Sequence, residues 1–342
     1  MSEDYLKEEI TLSQAKLLIS SMAESQSILM LSAPGVGKSD LVMQAATEAG
    51  LECRSLLGTQ IAPEDVSGIP RIIGERSVFC PPRLLLPEDN KPFCLFLDEL
   101  PATTPDIQKA FYSLLLERRI GEFKLPRGTW VVAAGNRQED RALVRSISSA
   151  LINRVVILNI RADVDEWMHW AVNNRVRNDI VSFIALKPDA LMREVPNIPV
   201  PFSTPRSWTL LSYALTICED KKILDNQIRR ALAFGRISPQ DASLFCTMAE
   251  EKIADLLTVP EYFAHPERLP ESDTAIWFVL STIRNQIQLN QIKGIPEIHV
   301  NNFLNALSTE QRIGLITGFI EKWTELGAEQ SLLKTIREIT DI

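Results

Sequence analysis

The stretch Leu31-Ser32-Ala33-Pro34-Gly35-Val36-Gly37-Lys38-Ser39 constrains what this chain folds into more than any other. It follows a short apolar run, Ile28–Leu31, and precedes a helical pattern over about residues 39–49. A strand that passes through such a turn into a helix aims several backbone N–H groups at one point, because Gly35 and Gly37 let the backbone curl. The helix that begins there adds its positive N-terminal end. The residue order matches G-x-x-x-x-G-K-[ST], with Ser32 in the place of the first glycine. A loop of this kind cradles a phosphate chain. Pro34, Gly35, Val36 and Gly37 wrap it, Lys38 brings a point charge to the β- and γ-phosphates, and Ser39 offers a hydroxyl to Mg²⁺.

Two further apolar runs end in polar groups. Phe93-Cys94-Leu95-Phe96-Leu97 leads into Asp98-Glu99. A buried strand with two acids at its end points both at the carboxyl edge of a sheet, where ligands bind in open α/β folds. Asp98 suits Mg²⁺, and Glu99 suits orienting and deprotonating an attacking water. Trp130-Val131-Val132-Ala133-Ala134-Gly135 ends in Asn136, whose amide can orient that water or a terminal phosphate. Arg154 precedes a last apolar run, Val155–Ile160. At the rim of the sheet it can reach a neighbouring subunit's γ-phosphate as an arginine finger; Arg145 and Arg141 are rivals for that role. Thr204-Pro205-Arg206 opens a helix, which puts Arg206 in a first turn where the dipole disfavours a cation by roughly 0.3–1 kcal/mol. An anion held in front of that helix offsets the cost.

These runs, with Cys53–Leu57, make five strand candidates: Ile28–Leu31, Cys53–Leu57, Phe93–Leu97, Trp130–Ala134 and Val155–Ile160. They alternate with helical patterns, including one over about 105–118 and one opened by the capping box Thr11–Gln14. Strands that are apolar throughout predict a parallel sheet covered on both faces. Five prolines between Lys187 and Arg206 predict an extended linker, and helical patterns follow almost to the end. Lys and Arg number 36 against 44 Asp and Glu, a net charge of −8. That balance argues against a general nucleic-acid coat, which needs a basic face. The five cysteines are scattered and form no C-x-x-C pair. No apolar run reaches the ~18 residues of a membrane span, and Met1–Glu9 has no apolar signal core; a reducing cytoplasm is the expected setting.

Taken together, the motifs resemble those of the MoxR-type AAA+ ATPases over about residues 10–250. The phosphate loop resembles the family's Walker A, and Leu97-Asp98-Glu99-Leu100 its Walker B. Asn136 resembles sensor 1, Arg154 the arginine finger and Arg206 sensor 2. Ala62–Gly68 resembles the stretch that leads into an insert in the second helix, and Arg119–Trp130 the small hairpin before sensor 1. Asn153-Arg154-Val155 departs from the family's Asp-Arg-Phe. The resemblance implies an αβα P-loop NTPase core with a five-stranded parallel sheet (residues 1–185), an all-α lid (186–255) and additional C-terminal helices (256–342). It also implies ATP and Mg²⁺ as cofactors, a homo-oligomeric hexameric ring, and remodelling of a protein client such as a von Willebrand factor A domain protein. Two alternatives stay open from the residues: an AAA+ nucleic-acid motor or loader, with Lys124 and Arg127 on the hairpin, and a non-hydrolysing nucleotide switch, against which Glu99 speaks.

Overall fold

A computed structural model describes residues 8–87, 89–137, 147–250, 257–288 and 292–340. Its strands are β1 (Glu9–Ile10), β2 (Ile28–Ser32), β3 (Glu52–Leu57), β4 (Ile69–Ile73), β5 (Arg76–Cys80), β6 (Phe93–Asp98), β7 (Arg119–Ile120), β8 (Phe123–Lys124), β9 (Trp130–Asn136) and β10 (Val156–Ile160). Six of them form one sheet in the order β1-β10-β2-β9-β6-β3, and every neighbouring pair is parallel. The expectation of five strands is corrected to six. The extra strand, β1, pairs Glu9 with Asn159 and Ile10 with Ile160. Two residues cannot display a strand period, so nothing in the sequence marked it. Arg137 clamps it in place, donating to the Glu9 carboxylate and, at 3.0 Å, to the Ile160 carbonyl.

Burial explains why the runs in β6 and β9 are apolar at every position rather than at alternate ones. Phe93 to Leu97 and Val131 to Ala134 are essentially inaccessible. One face of the sheet, with Leu29, Leu95, Leu97, Val131 and Ala133, packs on Ile107, Phe111, Leu114 and Leu115. Helix Lys38–Glu48 packs on β3, β6 and β9. Each fully buried Leu, Val or Phe contributes roughly 1.5–3 kcal/mol. The helix expected over 105–118 is divided at Phe111 into Pro105–Ala110 and Tyr112–Glu117. The small hairpin expected within Arg119–Trp130 is the antiparallel pair of β7 with β8, and helix Pro63–Ser67 is followed by a second antiparallel pair, β4 with β5.

The chain divides into two compact units. The first is Met1–Trp167 with Glu194–Val200 and Thr204–Arg206; the second is Met168–Arg193 with Pro201–Ser203 and Ser207–Ile342. The second unit is helical. The proline-rich stretch contributes a short turn at Pro188–Ala190 and no further helix or strand before Pro205. Helix Pro239–Glu250 starts where Ser238-Pro239 places it, and Ser308 caps helix Thr309–Ile316 through a capping box. Helix Asp273–Gln288 includes Asp273 as its first residue. Among the described residues no helix is long and apolar enough to cross a membrane.

Phe183, Trp208 and Phe245 form one aromatic centre of the second unit, with ring centroids 5.3 to 5.8 Å apart. Beside it lies a fully buried carboxylate. Asp241 is 0% exposed and accepts from Arg193 Nε at 3.0 Å, Arg193 Nη2 at 2.7 Å and Ser203 Oγ at 2.6 Å. A buried ion pair is a weak source of net stability, but an orphaned buried charge is costly. Arg193→Ala is therefore expected to lower unfolding free energy by about 3–5 kcal/mol. Arg193→Ala combined with Asp241→Ala should lose less than the sum of the two single losses. Urea melts of the three variants check both statements.

Candidate nucleotide-binding site

Between β2 and helix Lys38–Glu48 the chain turns through Gly35 at φ +81 and Gly37 at φ +115, in the left-handed region that residues with a Cβ resist. Gly35 is needed a second time. A Cβ there would lie 2.5 Å from Thr204 Oγ1. The Arg206 backbone N–H donates to the Gly35 carbonyl at 3.0 Å, which ties the start of helix Pro205–Asp220 to the loop. Val36 buries its side chain at 4% exposure, leaving its backbone for a ligand, and Pro34 is half-buried beside it.

Lys38 is 8% exposed. Its ammonium donates to Ser32 Oγ at 2.7 Å, to Asn136 Oδ1 at 3.3 Å, and to the Ser32 and Ala33 carbonyls at 3.5 and 3.4 Å. Ser32 therefore does more than replace a glycine: its hydroxyl supports the lysine. Asn136 arrives by register, since β2 and β9 pair Ser32 with Asn136 at their carboxyl ends.

The two acids diverge. Asp98 accepts from Ser39 Oγ at 2.9 Å on one oxygen and from the Glu99 backbone N–H at 3.0 Å on the other. Glu99 sits at φ +55, an uncommon conformation for a residue other than glycine. That turn sends its side chain elsewhere, and Thr59 Oγ1 donates to Glu99 Oε2 at 3.1 Å. Sequence reading assigned nothing to Thr59. The signal lies in strand order: β3 pairs with β6, Leu57 beside Asp98, so the residues after Leu57 fall next to Glu99.

The carboxyl edge of the sheet thus gathers Pro34–Ser39, Asp98, Glu99 and Asn136, with the Arg206 backbone on the loop. Arg206 is itself an exposed residue. This donor set fits a nucleotide's phosphates: a glycine-lined cradle at a helix N-terminus, a buried ammonium and a hydroxyl–carboxylate pair of hard oxygens that suit Mg²⁺.

Arg154 is not among them. It precedes β10, whose Val156 pairs with Ile28 at the start of β2, whereas Lys38 lies beyond the end of β2 at Ser32. About six residues of strand rise, roughly 20 Å, separate the two levels. Arg154 therefore stands at the amino edge and does not reach its own chain's phosphate loop. Its rivals Arg141 and Arg145 lie outside the described residues.

A phosphate loop between a central parallel strand and its helix, with acids and a polar amide at the ends of the neighbouring strands, defines the P-loop AAA+ fold. Residues 27–158 match the AAA domain of the dynein-related subfamily. At the family level the match supports nucleotide-dependent activity with a divalent metal. No curated protein sequence matches the chain. Among solved structures, the chain is similar to the Thermotoga maritima RuvB Holliday junction branch migration motor, at 14% identity over 95% of this chain and 93% of that one, with a TM-score of 0.41. A point mutant of RuvB from the same organism matches at 14% identity over 81% of each chain, again with a TM-score of 0.41. Likeness at this level adds nothing to the assignment, which rests on the fold and the matched domain.

Proposed function

We propose that this chain hydrolyses ATP with Mg²⁺ and, as a homo-oligomeric hexameric ring, uses that turnover to remodel or activate a protein partner in the manner of the MoxR-type ATPases. One observation carries the hydrolytic part: Ser39 and Asp98 are in contact, and Glu99 stands beside them on the same sheet edge with its carboxylate directed away from that contact. Bound Mg²⁺ would supply charge neutralisation at the phosphates. The protein groups have separable tasks. Backbone N–H groups of Pro34–Ser39 and the Lys38 ammonium hold phosphate, and Ser39 and Asp98 hold the metal. Glu99 accepts the proton of the attacking water, and its bond to Thr59 sets where the carboxylate rests. Asn136, beside Lys38, orients the water or the terminal phosphate. Arg206, in a first helical turn at the loop, places its cation where a bound anion offsets the dipole.

In this reading residues 1–185 form the nucleotide-binding core, 186–255 a helical lid and 256–342 an additional helical region. The ring, the protein client and a von Willebrand factor A domain partner follow from the resemblance of residues 10–250 to the MoxR type.

Lys38→Ala tests nucleotide binding directly. A hydrogen bond to a charged group contributes roughly 1.5–3 kcal/mol, so affinity for a fluorescent ATP analogue is expected to fall on the order of a hundredfold. Unchanged affinity rejects the site. For the partner, the Glu99→Gln protein held on ATP is used as bait. Capture of a von Willebrand factor A domain protein, released by ADP, supports the reading. ATP turnover that rises severalfold with DNA or RNA, with no protein captured, replaces it with the nucleic-acid motor.

A further inference from the structure

An arginine that serves a neighbouring subunit faces two demands. Its long side chain has to be held in one direction, and its charge has to stay available for an anion that arrives from outside. A carboxylate partner meets the first demand and defeats the second. Arg154 is held by other means. Its guanidinium lies over the Tyr112 ring, 4.7 Å from the centroid, and Nη1 donates to the Ala150 carbonyl one helical turn back. Nε is buried without a hydrogen-bond partner, and no carboxylate of a described residue pairs with the guanidinium. Both contacts are electrostatically favourable and neither neutralises a unit charge.

Tyr112 is itself fixed at both ends. It opens helix Tyr112–Glu117, just after the break at Phe111, and packs on the apolar cluster beneath the sheet. Its hydroxyl bonds Ser148 Oγ at 2.7 Å, and Ser148 caps helix Ser149–Ile152, the turn that delivers Arg154. A single side chain therefore contacts both the guanidinium and the cap of the helix that carries it.

We infer that Tyr112 is the positioning residue for Arg154, its ring holding the guanidinium aimed outward and still charged for the γ-phosphate of a neighbouring subunit. The inference rests on the reading of Arg154 as an arginine finger in trans. Tyr112 touches no substrate and acts through Arg154 alone.

The test uses the full chain at concentrations where it is oligomeric. Tyr112→Leu is expected to lower kcat about tenfold, equivalent to about 1.4 kcal/mol, while ATP affinity and thermal stability hold. Tyr112→Phe keeps the ring and gives up only the Ser148 contact, so it should lose less than about threefold, and Tyr112→Trp should do likewise, since indole is the best face for a cation. In the Arg154→Ala background Tyr112→Leu should have no further effect on kcat, because a positioning residue has nothing left to position. A readout without nucleotide accompanies these. With arginine side chains isotopically labelled, the Arg154 Nε–H resonance should be ring-shifted in wild type and in Tyr112→Phe, and should move toward the free-arginine position in Tyr112→Leu.

Wild-type kcat in Tyr112→Leu, losses equal in Tyr112→Phe and Tyr112→Leu, or a further loss added to Arg154→Ala each overturn the inference. The additivity arm keeps its meaning even where Tyr112→Leu alone loosens the fold, since a general structural loss adds to Arg154→Ala and a positioning loss does not. The two ideas fail separately. If Arg154→Ala itself turns over ATP normally, the finger reading falls; if Arg154→Ala is inactive and Tyr112→Leu is not, only the role of Tyr112 falls.

Discussion

Glu99→Gln is expected to bind ATP within about threefold of wild type and to lose on the order of 10²–10⁴ in kcat, the range that a positioned general base contributes. The glutamine amide is nearly the shape of the carboxylate and keeps an oxygen for the Thr59 hydroxyl, so the turn at Glu99 and the Ser39–Asp98 contact are undisturbed. Only the capacity to take a proton is removed. Measuring binding by equilibrium fluorescence and turnover by phosphate release separates the two effects. Hydrolysis at the wild-type rate assigns the base elsewhere. A loss of affinity that matches the loss of turnover would mean that Glu99 holds the nucleotide rather than the water.

Arg154→Ala has the larger expected effect, about 10³–10⁵ in kcat, because an arginine finger acts on charge that develops only in the transition state. ATP affinity should stay close to wild type for the same reason. The parallel register of β10 with β2 puts Arg154 at the opposite edge of the sheet from Lys38, so the proposed finger acts on the nucleotide of a second chain. Specific activity is then expected to rise with protein concentration. Mixing provides the sharper measurement. Arg154→Ala subunits keep Glu99 and Glu99→Gln subunits keep Arg154, so two inactive preparations should regain activity where the two kinds meet. No recovery in oligomers confirmed as mixed by mass returns Arg154 to a role inside its own subunit. A loss below about tenfold in the single variant passes the finger to another arginine, with Arg145 first to test.

Local order in the sequence was enough to set out the phosphate loop and the strands around it. Gly35, Gly37, Lys38 and Ser39 are adjacent in the chain, and the turn they need is a property of those residues alone. The apolar runs of β6 and β9 likewise announced strands buried on both faces, because burial from both sides leaves no position for a polar residue. The ends of those runs placed Asp98, Glu99 and Asn136 at a sheet edge before the order of the strands was known. What had to wait for the tertiary structure depends on which strand lies beside which. Thr59 bonds Glu99 only because β3 is the neighbour of β6, and Asn136 meets Lys38 only because β9 pairs with β2 in register. The strand β1 exists because β10 offers it an edge and Arg137 a clamp; two residues have no period of their own. Tyr112 and Arg154 are forty-two positions apart and carry no shared motif, so their contact is legible only once the helices are packed. The position of Arg154 makes the same point at the largest scale: the sequence marks an arginine before a strand, and the direction in which that strand runs decides that the arginine lies at the opposite edge of the sheet from its own loop.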